Sequence, residues 1–216
     1  MDFERDYILR LIQMMGDLMR RIAELMDDAE QNRLLDQTCR TLCGIPLATA
    51  ETLDFESLRD MLAPVPRFTL SELLFAKAES VRRLPYGQKE DFLLKALRLL
   101  SSLWEEPRLC DLRARRLMHL KQAVFPSLTA DDLLACARFF AQAEAYDEME
   151  DALFQALALR DGAEWLSDAA EGAAMLRRAA NATEQALIAC GMTGAELRQS
   201  AHELETESRK RIGESS

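Results

Sequence analysis

The chain has little of what usually punctuates a fold or carries chemistry. Its 216 residues include 8 Gly, 6 Pro and 2 His, and aromatic residues make up 6%. Scarce glycine and proline exclude a fold built on many tight turns and point to long helices. No glycine-rich run is present, so the loops that cradle phosphates are missing. His119 and His202 have no Asp or Ser neighbour at catalytic spacing, and no Glu-x-x-His pattern marks a di-metal centre. The uncharged runs are too short to span a bilayer, and the charged start, Met1 to Asp6, is unlike a secretory signal. Bases are outnumbered, 27 Lys+Arg against 37 Asp+Glu, a formal charge of −10. That balance argues against general nucleic-acid binding, because duplex affinity rests on neutralising phosphates.

What is there is the composition of a folded protein: 49% hydrophobic and 30% charged residues. The cysteines (39, 43, 110, 136 and 190) are odd in number and scattered, which fits buried free thiols in a reducing cytoplasm. Cys39 and Cys43 share a helix face, but zinc would need further ligands, and the reading is packing. Asn181-Ala182-Thr183 matches a glycosylation acceptor by chance, given the missing signal. No catalytic, cofactor or metal site is expected, and the chain reads as a non-enzyme.

The first segment carries the clearest periodicity. Ile8, Met15 and Ile22 are seven apart, as are Leu11, Leu18 and Leu25, and Ile12, Met19 and Met26. The spacing predicts a long amphipathic helix, with Asp2 as its cap. The third column, with Tyr7 and Met14 on the flank, makes the stripe wider than a two-stranded seam needs. It serves as a core face or as a homodimer face through Ile8, Leu11, Met15, Leu18, Ile22 and Leu25. A second helix is expected over 30–43, ending at Gly44, and a short one over 55–62. Ala63-Pro64-Val65-Pro66 reads as a linker.

Beyond it lies an internal repeat. Residues 68–100 align with 128–160 at an offset of 60 without a gap. Thr69, Leu73, Leu74, Tyr86, Glu90, Asp91, Leu93, Ala96, Leu97 and Leu99 recur as Thr129, Leu133, Leu134, Tyr146, Glu150, Asp151, Leu153, Ala156, Leu157 and Leu159. Both copies open with a capping box, Thr69-x-x-Glu72 and Thr129-x-x-Asp132. Each copy reads as three helices: 70–83, 88–104 and 108–124, then 130–144, 147–160 and 163–180. The expected organisation is an N-terminal helical segment at 1–63, repeats at 67–127 and 128–190, and a last helix and tail at 191–216. That last helix starts at the box Thr193-x-x-Glu196, and the chain should fray from about Glu205.

Within each copy the helix pair resembles a tetratricopeptide motif. In the second, Leu133, Ala137 and Phe140 stand at the large, small and aromatic positions of the first helix. Tyr146 stands at the turn, and Leu153 and Ala156 at the large and small positions of the second helix. Met149 replaces the usual Ala, Glu144 the usual Gly, and the offset of 60 exceeds the family's period. The resemblance implies an all-α, superhelix-like repeat whose first helices line a concave groove. Carried over by position, that lining includes Ser71, Leu74, Arg82, Asp131, Leu134, Arg138 and Gln142, with Arg138 or Arg82 reading a carboxylate.

Asp6-Tyr7-Ile8-Leu9-Arg10-Leu11-Ile12, Leu42-Cys43-Gly44-Ile45-Pro46-Leu47 and the first helix pair also resemble a family of uncharacterised proteins from clostridia and related bacteria. That likeness covers about residues 2–104 and implies a cytoplasmic, all-helical protein without an established activity.

Charge is uneven. Arg108, Arg113, Arg115, Arg116 and Lys121 face only Asp111, while Glu144, Asp147, Glu148, Glu150 and Asp151 have no base among them. These are solvated faces or complementary patches that steer a partner. The expected function is a non-catalytic interaction module for a protein or peptide, self-associating as a homodimer, with no nucleic acid and no membrane. The alternative is a helical enzyme or small-molecule sensor with a pocket between helices.

Overall fold

Long stretches without Gly or Pro become helices. A computed structural model describes residues 3–25, 27–81, 84–85 and 87–214, with the backbone alone at 3–6 and 214. Its regular elements are helical, twelve α-helices among the described residues. They divide into two compact units, residues 1–103 with 119–127, and residues 104–118 with 128–216.

The first unit is built around one helix. Its elements are α1 (Phe3–Glu24), α2 (Asp28–Cys43), α3 (Leu47–Thr52), α4 (Phe55–Met61), α5 (Pro64–Ser80) and α6 (Gln88–Ser101). The end of α7 (Pro107–Val124) and a 3₁₀ turn, Phe125–Ser127, complete it. In α5 every residue from Phe68 to Ala76 is buried. A helix buried all round needs neighbours on several sides, and α1, α2 and α6 supply them. Each buried Leu or Phe there contributes roughly 2 kcal/mol.

Two expectations fail at the start of α5. The proline stretch is no linker, and Thr69 with Glu72 is no capping box. The helix begins at Pro64, so Thr69 lies inside it, fully buried. Pro64 and Pro66 fall in the first turn, where a missing N–H is no loss and a fixed φ suits the helix. The helix α2 ends as expected at Gly44, whose φ of 76° is left-handed. Asp27 caps its start, accepting from the Ala29 N–H at 3.1 Å. The Lys95 ammonium of α6 donates to the carbonyls of Ala50, Glu51 and Leu53 at 3.2, 2.7 and 2.6 Å, tying down the end of α3. The expected caps and columns at Asp2, Met26 and Tyr86 lie outside the described residues.

The second unit holds the start of α7 and α8 (Ala130–Gln142), α9 (Tyr146–Ala158), α10 (Gly162–Ala179), α11 (Glu184–Ala189) and α12 (Gly194–Glu214). Here the capping box is real. Thr129 Oγ1 accepts from the Asp132 N–H at 3.2 Å, and Asp132 accepts from the Thr129 N–H at 3.1 Å. Three residues join α8 to α9, and Glu144 among them is left-handed, φ 55°. This is the position where the tetratricopeptide pattern has Gly. Gly172 of α10 lets Leu153 of α9 come close: a Cβ there would stand 2.6 Å from Leu153 Cδ1.

The expected fraying from Glu205 is also corrected, since α12 runs on to Glu214. Leu197, Ala201 and Leu204 bury its inner face, and α12 packs on α10. Beyond them Glu205 pairs with Arg177, and the Arg211 guanidinium lies 3.9 Å from the Trp165 ring centroid. A cation over an aromatic face holds the last turns, where the one apolar side chain, Ile212, is exposed.

Candidate functional site

The heptad stripe of α1 is core. Ile8, Leu11, Met15, Leu18 and Ile22 are all buried, and Leu25 is half-buried. The helix uses this face against its own unit, where it packs on α5. A homodimer through these residues would require α1 to leave that packing, so the stripe is corrected from candidate dimer surface to interior.

The residues proposed for a concave groove do not assemble into one. Ser71 is buried, and its hydroxyl donates to the Ala96 carbonyl at 2.8 Å. Leu74 and Leu134 are buried as well. Arg138 grips Glu171 of α10 through Nε and Nη2 at 2.6 and 2.7 Å. Asp131 is exposed and pairs with Arg160, which also holds Glu164 and Asp168 at 2.9 Å each. Gln142 is exposed, and Arg82 lies outside the described residues. The physical reason is coverage. In the first unit α1 and α2 lie on α5, and in the second α10 packs against α8, so these first helices face partners within the chain.

An open concavity of the first unit lies elsewhere, between α1 and α2. Both helices pack on α5, and a cleft of about 630 Å³ runs between them. Its walls include Met14 and Leu18 from α1 and Leu34, Thr38 and Leu42 from α2, and Arg10, Asp17 and Arg21 stand along the α1 rim. Met14 is 43% exposed, and Tyr7, one heptad earlier, is 53% exposed. Leu34 and Leu42 are half-buried. A groove in which Met14, Leu18, Leu34 and Leu42 stand among Gln13, Gln37, Thr38 and Thr41, under a charged rim, offers an amphipathic helix a mixed face to pack against. The width of the sequence stripe, through Tyr7 and Met14, was its one visible sign. The walls on α2 had none.

The other candidate groups are structural. Cys39, Cys43, Cys110 and Cys136 are buried. The neighbouring Cys39 and burial hold the Cys43 thiol far above its usual range, and it lies 3.5 Å from the Pro66 carbonyl. Burial pushes Cys110 up to about 12. Thiols so raised stay protonated at neutral pH and are poor nucleophiles. Half-buried Cys190 donates to the Glu144 carbonyl at 3.0 Å. His119 stands edge-on to Phe75, with ring centroids 5.7 Å apart. Among the described residues no group of three or more His, Cys, Asp or Glu is placed to hold a metal, and no helix is long and apolar enough to cross a membrane.

The basic run is not one face. Arg108 and Arg115 are exposed, Arg113 and Arg116 half-buried, and Lys121 buried. In the acidic run Glu144, Asp147 and Asp151 are exposed and Glu148 and Glu150 half-buried. Comparison with protein-family models, with curated proteins and with solved structures finds no match to this chain.

Proposed function

We propose that this chain is a non-catalytic helical interaction module that binds a protein partner in the cytoplasm and receives it in the α1–α2 cleft. The α5–α6 and α8–α9 pairs are read as tetratricopeptide-like frames. The observation that carries the reading is the cleft: exposed Met14, with Leu34 and Leu42 opposite, beneath the charges of Arg10, Asp17 and Arg21. The Met and Leu side chains supply affinity to an amphipathic helix, and the Gln, Thr and rim charges select among helices. Arg138 and Asp131, which the tetratricopeptide pattern offers to a partner, are spent on Glu171 and Arg160 within the chain.

The test is a photo-crosslinking amino acid placed at Met14, and at exposed Gln199 of α12 as a control. Irradiated in extract of the native host, position 14 should give a discrete protein adduct and position 199 none. Adducts at neither position, or equally at both, overturn the reading.

A further inference from the structure

The exposed row of α1 has a property the cleft alone does not. Tyr7, Met14 and Arg21 are seven apart, and Arg10 and Asp17 fall between them on the same side of the helix. All five are exposed, and all but Tyr7 line the cleft. Read backwards, this row complements itself. An antiparallel copy centred on Met14 sets Met14 against Met14 and Tyr7 against Arg21, and puts Arg10 one residue from Asp17, which its long side chain can span, beside the Arg20 that Asp17 already holds within α1. A parallel copy in register sets Arg10 on Arg10, Asp17 on Asp17 and Arg21 on Arg21, three like-charge contacts. The row therefore discriminates between orientations.

Resting on the reading of the cleft as a protein-binding surface, we infer that its occupant is α1 of a second copy of this chain, laid antiparallel about a two-fold axis through Met14. The contact is isologous, so each favourable pair occurs twice and the assembly closes at two. Met14 of each copy enters the cleft of the other, against Leu18, Leu34 and Leu42. The flexible thioether suits such a half-filled apolar site. Arg21 meets the face of the partner copy's tyrosine as a cation over a ring. The Arg10–Asp17 pairs flank the centre and fix the register. This is a different surface from the Ile8–Leu25 stripe, which stays in the core of each copy.

The test uses the full chain with Cys190→Ser, which removes the half-buried native thiol. Under mild oxidation Met14→Cys should yield a disulfide-linked dimer, because the axis brings that position onto itself. Ala23→Cys, exposed and nine residues on from Met14, on the opposite side of α1, should yield none. In light scattering the unmodified chain should be a dimer, and Arg10→Glu should weaken it about tenfold, the changed pair being repeated by symmetry. Arg10→Glu with Asp17→Arg should return affinity to within about threefold. Circular dichroism identifies any variant that has lost its fold, and the cysteine pair tests the contact without charge changes. A dimer linked through position 23 rather than 14, or charge reversals without restoration, overturns the inference. A pure chain that is monomeric, yet whose position 14 crosslinks to a different protein in extract, overturns the second copy as occupant and leaves the interaction reading standing. No adduct of either kind at position 14 overturns both.

Discussion

Arg138 of α8 holds Glu171 of α10 in a fork, with Nε–Oε1 at 2.6 Å and Nη2–Oε2 at 2.7 Å. The residue that the repeat pattern offers to a partner's carboxylate has found a carboxylate in its own chain. The hydrogen bond from Arg138 holds the Glu171 carboxyl below its usual range, against the opposing effect of burial. A carboxyl lowered on folding stabilises the fold at pH values above its unfolded pKa, about 4.3. That contribution is lost as pH falls through the lower folded value. Arg138→Ala should therefore destabilise by about 1 kcal/mol at pH 7, the pair being a third exposed and screened. The gap between variant and parent should narrow as pH falls below the unfolded value and vanish only below the lower folded one, read by urea unfolding at a series of pH values.

The turn between α8 and α9 places Glu144 at φ 55°, where an L side chain crowds its own carbonyl. Glu144→Gly should stabilise the protein by about 0.5–1 kcal/mol, net of the extra freedom of glycine in the unfolded chain. For a chain of this size that is a rise in Tm of about 2–4 °C, measured by calorimetry.

Gly172 lies inside α10, where alanine would ordinarily gain about 1 kcal/mol of helix propensity. A Cβ there would stand 2.6 and 2.8 Å from the two methyls of Leu153, which is fully buried. Gly172→Ala should instead destabilise by about 1–2 kcal/mol through overpacking. In a Leu153→Ala background the same change should turn neutral or stabilising, a sign reversal that a double-mutant cycle would record.

Lys95 supplies three hydrogen bonds to carbonyls at the end of α3. Lys95→Met should leave those carbonyls unpaired and loosen α3 and α4 locally. Amide exchange across residues 47–62 should quicken by about tenfold, with α8–α10 unchanged.

Much of the architecture was legible in the chain. The end of α2 at Gly44, the capping boxes at Thr129 and Thr193, and the bounds of α8, α9 and α10 follow from local chemistry that the structure reproduces to within a residue or two. The start of α5 departs from the local pattern because Pro64 and Pro66 break helices in most positions but not in the first turn. The last turns of α12 were misread because Arg211 is held by Trp165, a contact across 46 positions that no local pattern carries. The site was harder. A buried helix face and a docking face have the same periodicity, so the α1 stripe alone could not say that α5 covers it. Ser71, Leu74 and Leu134 matched a family pattern whose first helices are open on one side, and here other helices of the chain cover them. The α1–α2 cleft exists because two helices share a support on α5, a tertiary relationship with no signature in either segment.

That cleft is the surface proposed to meet other proteins. The most direct measurement compares the partners retained from host extract, a second copy of the chain included, by the parent and by Met14→Glu with Thr41→Glu, two exposed positions on opposite walls. With circular dichroism and thermal unfolding unchanged, retention should fall at least about tenfold, because charge on both walls opposes the burial of Met14, Leu34 and Leu42 against a partner. Equal retention by the two proteins would contradict the account.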